Sequence, residues 1–428
     1  MPTALPRWPI AAMFVPFGLW WVLGLAEMAW IPIAGAMAML LVRRGQVRLP
    51  RGSGVLLLFL ALMTVSVIGI DAPGRLVGFT FRALQYFAIA TAFVYVYNAR
   101  REIGVTWLLG VLTTFWLWVV AGGFLGLLAP LLSFRTPLGL VLPASIQANE
   151  LVQEMVMRRT TQWNPGSWVD SGPRPSAPFL YTNGWGSAYS LLLPLVIAYA
   201  MRIPHNRKWI GLLVLIPLSA IPAVLTLNRG MFVGLTVAAL WVALRLAAAG
   251  RARAVLTLGA GAGVGILVGW LLGAADRLSQ RLATSSSTED RANLYAEAIT
   301  RTLQSPLFGY GAPRPSYSEG APSVGTQGQV WMVLFSHGYL ALAVFLAGLV
   351  LLIVGTWRWQ IHGAAGLAIN AVQVALLVEA FFYGLLPTPL TVALIAAAVV
   401  LPRTGVPEAP PDRIKTIRTK TAAPQGIP

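Results

Sequence analysis

Long apolar segments separated by short polar turns recur along most of the chain. Most of them approach the ~20 residues that a helix needs to cross the hydrocarbon core of a bilayer. The pattern predicts twelve membrane-spanning helices, over residues 8–25, 28–42, 54–70, 77–97, 104–127, 184–201, 209–226, 230–248, 254–273, 328–355, 364–383 and 387–402. Some contain proline or glycine, which helices in lipid tolerate where neighbours cover the freed carbonyl groups.

The composition excludes a soluble globular protein. Hydrophobic residues make up 57% of the 428 and charged residues only 11%, whereas soluble domains contain about 25% charged residues. We therefore expect an all-α polytopic membrane protein in which residues 1–402 form one helical domain. The remainder, 403–428, is rich in Pro, Thr and basic residues and predicts a disordered cytoplasmic tail. Cysteine is absent, which excludes disulfides and thiolate chemistry.

The basic residues predict the orientation of the bundle. The formal net charge is +17, and most lysines and arginines fall in alternate short turns and in the tail, as the positive-inside rule requires for a cytoplasmic N-terminus. Topology and anionic lipid therefore account for the charge, and no nucleic-acid partner is expected. This orientation predicts a multi-pass protein of the bacterial cytoplasmic (inner) membrane, with two long extracytoplasmic loops over 128–183 and 274–327.

Both long loops contain stretches with helical periodicity. In the first, apolar residues at 146, 152, 155 and 156 predict an amphipathic helix over 144–159. In the second, a helix beginning near Thr288 would carry its apolar residues on one face. These residues are Leu294, Ala298, Ile299, Thr302 and Leu303. The pattern breaks at Ser305-Pro306.

Four arginines are the first candidates for chemistry. Arg82 lies inside a predicted span, Arg229 in a tight turn between two spans, and Arg291 and Arg314 in the second loop. The planar guanidinium suits phosphate oxygens, so several of them on one face predict a site for a membrane-bound diphosphate. In the alternative interpretation Arg82 pairs with Glu379 or extends to the interface, and the loop arginines are merely solvated.

Three short motifs occur in an order and spacing that resemble a known family. They are Leu225-Thr226-Leu227-Asn228-Arg229-Gly230, the segment Asp290-Arg291 through Pro306-Leu307-Phe308-Gly309-Tyr310-Gly311, and Thr182-Asn183-Gly184-Trp185. Together they resemble the O-antigen ligase-like family, which includes O-antigen ligases and polysaccharide polymerases. The resemblance covers roughly 180–355 as motifs and the whole chain as topology.

The resemblance implies a metal-independent, inverting glycosyl transfer without a cofactor. The donor is a polyprenyl-diphosphate-linked glycan, and the acceptor is the hydroxyl of a glycan or glycolipid. Residues corresponding to Arg229 and Arg291 hold the diphosphate, and Gln327 completes the predicted catalytic set. Arg82, Asn183, Tyr310 and Arg314 are the predicted substrate-binding residues.

This sequence departs from the family at the position of a His-Asn pair, where it has Gln327-Gly328. Glutamine cannot accept a proton at neutral pH, so Gln327 can orient an acceptor but cannot act as a general base. His337 falls deep in its span, where a hydrogen-bonded structural role is favoured. The general base stays open between the diphosphate itself and four loop carboxylates, which are Glu150, Glu154, Asp170 and Glu319.

A transporter or flippase for a lipid-linked saccharide is the alternative function. Such a protein also needs a basic cavity among many helices, but usually has two similar halves and broken or charged helices near the midplane. Here the polar residues concentrate in the loops of one face, which favours chemistry at that face.

Overall fold

The computed structural model describes residues 4–147, 149–163, 172–273, 279 and 287–402. The predicted tail over 403–428 and the candidate base Asp170 lie outside these residues. Within them the chain is predominantly α-helical, as the apolar pattern predicts. Four short strands are the one departure from an all-α fold in this part of the chain.

The helices follow the predicted apolar segments closely. Those of the first half are α1 (Trp8–Phe14), α2 (Phe17–Leu23), α3 (Trp30–Arg44), α4 (Ser53–Val65), α5 (Pro73–Ile103), α6 (Val105–Leu128), α7 (Pro137–Val141), α8 (Ala144–Gln147) and α9 (Glu150–Val156). Those of the second half are α10 (Thr182–Ala200), α11 (Arg207–Leu218), α12 (Ala220–Leu225), α13 (Arg229–Ala248), α14 (Ala252–Leu271), α15 (Ser287–Thr302), α16 (Gln329–Gly355), α17 (Ala364–Glu379) and α18 (Thr388–Val400).

Among the described residues, six helices are long and apolar enough to cross a membrane by themselves. They are α5, α6, the continuous pair α11 and α12, α13, α14 and α16. Shorter apolar helices cover Ser53–Gly69, α17 and α18. The chain therefore has the helices of a membrane protein, and the count of twelve spans stays a prediction.

The centre of the bundle is formed by α10, α17 and α18. Nearly every residue of α18 is buried, and this helix packs against α5, α10 and α17. Because α18 is enclosed by other helices, it needs no lipid-facing surface and can be built from alanine, valine, leucine and isoleucine on all sides. The helices α6 and α13 pack on the flanks of α10, and α13 also contacts α17.

The two ends of the bundle differ in the contacts that their turns make. At the end where α10, α13 and α16 begin, which we call the rim, Arg314 pairs with Asp71 and Arg158 with Glu27. At the opposite end arginine side chains donate to backbone carbonyls of neighbouring turns. These bonds are Arg44 to Asn98, Arg100 to Leu401, Arg202 to His362 and Arg245 to Trp357. The turns predicted to share a side of the membrane thus contact one another.

The first long loop differs from its predicted form. The amphipathic helix expected over 144–159 is divided into α8 and α9 and ends at Val156. Its continuation is a strand, β2 (Met157–Arg159), which pairs antiparallel with β1 (Ser133–Arg135). A second pair joins β3 (Thr161–Gln162) to β4 (Arg174–Pro175). After the helix ends, the backbone pairs with β1 and the Arg158 side chain forms a buried ion pair with Glu27.

The region predicted to hold the amphipathic helix of the second loop forms α15, with a narrower buried face than predicted. Leu294, Ala298 and Thr302 are buried, whereas Ile299 and Leu303 are exposed. The buried face packs against α16 and forms a small core with Tyr310, Val324 and Phe335. The described part of the second loop is therefore folded and packs on the bundle.

The segment after α15 forms backbone hydrogen bonds with α16 where that helix is broken. At Gly338 the backbone leaves helical geometry, with φ of 84° and ψ of 177°. Tyr310 N then donates to Phe335 O (3.0 Å), Gly311 N to Ser336 O (2.7 Å) and Tyr339 N to Pro306 O (2.8 Å). The loop backbone thus forms hydrogen bonds with groups that the broken helix leaves without intrahelical partners.

Gly309 allows this close approach, which generates a prediction. Its φ is +61°, and a Cβ atom there would lie 2.6 Å from His337 N. We expect Gly309→Ala to lower the free energy of unfolding by at least ~2 kcal/mol, because a left-handed conformation costs a non-glycine residue ~1–2 kcal/mol and the clash adds to this. Thermal unfolding of the purified protein, followed by tryptophan fluorescence, measures the effect.

Gly263→Ala is the matched control, because Gly263 lies in a helix with open space around it. An unfolding midpoint for Gly309→Ala equal to that of Gly263→Ala would contradict the proposed role of the paired segment.

Candidate functional site

A buried hydrogen-bonded junction at the rim joins α10, α13 and the end of α17. Asn228 is 4% exposed and precedes the first residue of α13. Its Nδ2 donates to Thr182 O (2.9 Å), and its Oδ1 accepts a short hydrogen bond from the Tyr383 hydroxyl. An asparagine at the N-cap position commonly caps its own helix, but here the side chain links three elements instead.

The turn that presents Arg229 is strained. Leu227 has φ of +48°, and it is the one non-glycine residue with positive φ in the part of the chain that the structure describes. Such a conformation costs of the order of 1–3 kcal/mol and is common at functional sites. The strained turn directs Asn228 into the junction and starts α13 at the half-buried Arg229.

Tyr383 lies beside the backbone at the start of α13 and near the charge of Arg291. Its hydroxyl bonds Asn228, the neighbour of Arg229, and a Cβ atom on Gly230 would lie only 2.5 Å from the same oxygen. Arg291, in the first half of α15, acts electrostatically on both Tyr383 and Tyr295. The start of α13 at Arg229 and the charge of Arg291, 62 positions apart in the sequence, therefore both lie near Tyr383.

The start of α16 is fixed to the end of α17. Gln329 N donates to Tyr383 O (2.7 Å) and Val330 N to Ala380 O (2.9 Å). The Gln329 side chain is fully buried, with Nε2 bonded to the Tyr86 hydroxyl (2.5 Å) and Oε1 accepting from Leu385 N (2.8 Å). Gln329 is thus structural.

Gln327 lies beside this junction, at the entry to α16. Its carbonyl oxygen accepts a hydrogen bond from the Tyr295 hydroxyl (3.0 Å), while its side chain is half-buried. Tyr295 stacks on Trp331 with ring centroids 4.2 Å apart. Burial raises the pKa of Tyr295, which keeps its hydroxyl protonated as a donor. Gln327 is therefore held by its backbone, next to Tyr295, on which the charge of Arg291 acts.

Asn183 and Arg82 lie on neighbouring elements. Asn183 is the second residue of α10, is half-buried and follows Thr182 of the junction. Arg82 is half-buried on α5 and acts electrostatically on Tyr86 and His337. The Tyr86 hydroxyl is bonded to Gln329 at the start of α16. Arg82, which acts on Tyr86, therefore lies near the start of α16.

Glu379 does not pair with Arg82. Its carboxylate is fully buried, accepts a hydrogen bond from Ser187 (2.6 Å) and a shorter one from Ser190, and packs against Gly234. The pairing with Arg82 considered from the sequence is wrong, because the Glu379 carboxylate accepts hydrogen bonds from two hydroxyl groups of α10 instead.

Arg314 and Tyr310 bind other parts of the protein. The Arg314 guanidinium contacts Asp71 and Gly69 O (both 3.1 Å) and lies 4.0 Å from the Tyr310 ring centroid. Hydrogen bonding from Arg75 lowers the pKa of Asp71, and the charge of Arg314 adds to this effect. The Tyr310 hydroxyl donates to Arg301 O (2.8 Å). Both residues fasten the second loop to the bundle, and their role in substrate binding stays a prediction.

His337 has the structural position expected from the sequence. It is 4% exposed, its Nδ1 lies 2.6 Å from Ser66 Oγ, and the rings of Phe59, Phe79 and Tyr86 surround it. Within the described residues no group of three or more His, Asp or Glu side chains is arranged to hold a metal ion.

The arrangement can hold an anion at the membrane surface. The helix α13 begins at Arg229 without a side-chain cap, at the end where its dipole is positive, and Arg291 adds its charge near Tyr383. Sequence reasoning found the arginines and the segment that begins at Thr182, but it did not identify Tyr383 or the hydroxyl groups that bond Glu379, those of Ser187 and Ser190. No local signal marks these residues, because their partners lie on other helices. Glu379 alone had a signal, as a carboxylate in an apolar span.

Comparison with known proteins adds no relative from which a role could be transferred. No protein-family model matches the chain, and no curated protein matches it.

Proposed function

We propose that this protein is an integral-membrane glycosyltransferase, a polysaccharide ligase or polymerase that uses a polyprenyl-diphosphate-linked glycan as donor. The observation that carries the proposal is that Tyr383 contacts both neighbours of Arg229, Asn228 and Gly230, and lies near the charge of Arg291. The strained Leu227 and the bonds of Asn228 fix this part of the rim, which suits a site whose charges must be preorganised.

The proposed step is a single displacement at the anomeric carbon of the donor. The acceptor hydroxyl oxygen forms a new bond to this carbon as the bond to the diphosphate oxygen breaks, and the configuration inverts. The electron pair of the broken bond stays on the diphosphate. Arg229 and Arg291 stabilise the charge that grows there, in a partly water-excluded site where guanidinium groups act most strongly.

The hydroxyl proton must leave during this step. Gln327 cannot take it, but its amide can orient the acceptor hydroxyl. The departing diphosphate can itself accept the proton, and Glu154 and Glu319 of the loops are further candidates. Arg82 of α5 and Asn183 of α10 are proposed to contact the donor.

The proposed location is the bacterial cytoplasmic membrane, with the rim facing the exterior or periplasm. The basic turns at the opposite end support this orientation through the positive-inside rule. The prenyl chain would lie against the apolar helices below the rim. Transport of a lipid-linked saccharide is the second candidate, since the same charges would bind the same head group.

The two candidates are separated by the fate of the carrier. Given polyprenyl-diphosphate-linked glycan and glycan acceptor in detergent, the purified protein should release free polyprenyl diphosphate. We expect Arg229→Ala and Arg291→Ala each to lower the rate of release at least ~10²-fold, because each removes a charge that stabilises the leaving group. Arg229→Lys and Arg291→Lys should lose less, since they keep the charge but lose the planar fork.

Arg207→Ala, at an exposed position on the opposite end, is the matched control and should keep normal turnover. Release by Arg229→Ala or Arg291→Ala at the wild-type rate, in protein of unchanged unfolding midpoint, would remove that residue from the site. Absence of release by the wild-type protein would favour transport.

The hydrogen bonds of the junction should also affect the rate at which the carrier is released. We expect Tyr383→Phe to lower turnover about tenfold or more, because Asn228 Oδ1 loses its donor and the turn bearing Arg229 shifts. Initial rates measure the effect. Tyr339→Phe, which also removes a tyrosine hydroxyl bond but away from the junction, should keep its rate; equal rates for the two variants would refute this role of Tyr383.

The absence of cysteine allows a direct test of orientation. We expect Ser318→Cys, in the second loop, to react with a membrane-impermeant maleimide in intact bacterial cells. Lys208→Cys, at the start of α11, should react only after the cells are permeabilised. Both positions are exposed, so access to the reagent decides the result. The reverse pattern of labelling would contradict the proposed orientation.

A further inference from the structure

An apolar cavity of about 300 Å³ lies between α4, α5, α16 and α18. Its walls include Leu56 and Leu60 of α4, Phe93 of α5, Leu352 of α16 and Leu394 of α18. None of the motifs found in the sequence lines this cavity, and neither does any residue proposed to act in glycosyl transfer.

The walls offer a ligand almost no polar group. The Tyr86 hydroxyl is already bonded to Gln329, and the Ser53 hydroxyl donates to Pro50 O (2.8 Å). All other lining side chains are apolar, with the exception of Arg51. A polar ligand would lose its hydrogen bonds with water here without replacing them. The cavity therefore suits a hydrocarbon chain.

The cavity has the length of one leaflet of a bilayer. It follows α16 from Val344 to Gly355, a helical rise of ~16 Å, and half of the hydrocarbon core is ~15 Å thick. Because α16 begins at the rim, this part of it leads to the opposite end of the bundle. The outer faces of α4 and α16 expose apolar side chains, such as Leu57, Leu58 and Val350, which can border lipid.

Arg51 is the one charged residue in the walls, and its charge is available to a ligand. It lies in the turn before α4, at the end opposite the rim, and is exposed. Its guanidinium forms no ion pair or hydrogen bond with a described residue. Glu102 is the one described carboxylate at this end, and it does not line the cavity. It acts on Tyr95 together with Arg44.

The backbone on both sides of the cavity mouth is fixed to α5. Asn98 exchanges two hydrogen bonds with the backbone of Arg48, since its Nδ2 donates to Arg48 O and its Oδ1 accepts from Arg48 N (both 2.9 Å). On the other side, the Tyr97 hydroxyl donates to Pro402 O (2.9 Å). The turn that carries Arg51 therefore has its position before any ligand binds.

We propose that this cavity binds one acyl chain of an anionic phospholipid, with the lipid phosphate at Arg51. The chain lies along α16, and the guanidinium donates to phosphate oxygens. The other arginines at this end of the bundle add to the attraction of an anionic head group. The inference does not rest on the proposed glycosyl transfer.

Two other occupants fit the cavity less well. The polyprenyl carrier proposed for the rim has its diphosphate at the rim, whereas the charge of this cavity is at the opposite end. The residues after Pro402 are rich in Pro, Thr and basic side chains, and an apolar wall would leave their polar groups without partners.

The test is lipid binding to the purified full-length protein in detergent, with bound lipid counted by native mass spectrometry. The probes are dioleoyl phosphatidylglycerol and dioleoyl phosphatidylcholine, which share their acyl chains and differ in net charge. We expect the anionic lipid to bind at least ~5-fold more tightly, because a basic residue near the membrane surface attracts anionic lipid. Arg51→Gln should abolish this preference and keep the binding of phosphatidylcholine.

A second variant tests the position of the chain. Gly348 lines the cavity, and a Cβ atom there would meet only Val55 Cγ1, at an ordinary contact distance of 3.7 Å. We expect Gly348→Leu to fold, to fill the cavity and to weaken the binding of both lipids at least ~10-fold. Gly263→Leu is its matched control, because Gly263 has open space around it, and should bind both lipids normally.

Arg43→Gln is the matched control for charge, because Arg43 is exposed at the same end and does not line the cavity. It should keep the preference for phosphatidylglycerol. Equal affinity of the wild-type protein for the two lipids overturns the inference, as does an unchanged preference in Arg51→Gln or unchanged binding in Gly348→Leu. Polyprenyl phosphate that binds more tightly than phosphatidylglycerol, and loses this affinity in Arg51→Gln, would assign the cavity to the carrier and also overturn the inference.

Discussion

The hydrogen bonds of Asn228 are the interaction on which the geometry of the rim depends. They tie the start of α13 to the carbonyl of Thr182 on α10 and to the Tyr383 hydroxyl beyond α17. In a buried, low-dielectric setting an amide left without partners is costly, so all three elements are held at one spacing. The strained Leu227 conformation persists because these bonds and the packing around Gly230 determine it.

The second loop is stabilised as part of the bundle. Its α15 buries an apolar face on α16, and its following segment hydrogen-bonds to the broken turn at Gly338. Arg314 fixes the far side of the loop to Asp71. Since Arg291 is carried by α15, these distant contacts determine where its charge lies relative to Tyr383.

Polar residues near the rim occupy three kinds of environment. Glu379 is enclosed with Ser187 and Ser190, Arg229 and Arg291 are half-buried, and polar and aromatic residues line a cavity in the first loop. An amphiphilic substrate with an apolar tail, an anionic centre and a polar glycan requires environments of different polarity. The proposed function uses them together.

The sequence by itself determined the positions of the helices, because the length and apolarity of a segment are local properties. The segments 230–248 and 328–355 became α13 (Arg229–Ala248) and α16 (Gln329–Gly355). Charge chemistry likewise indicated Arg229 and Arg291. Only the tertiary structure decided the break at Gly338, the strands of the first loop, the pairing of Glu379 with serines and the role of Tyr383. Each of these depends on partners far away in the chain, and no local pattern records which helices become neighbours.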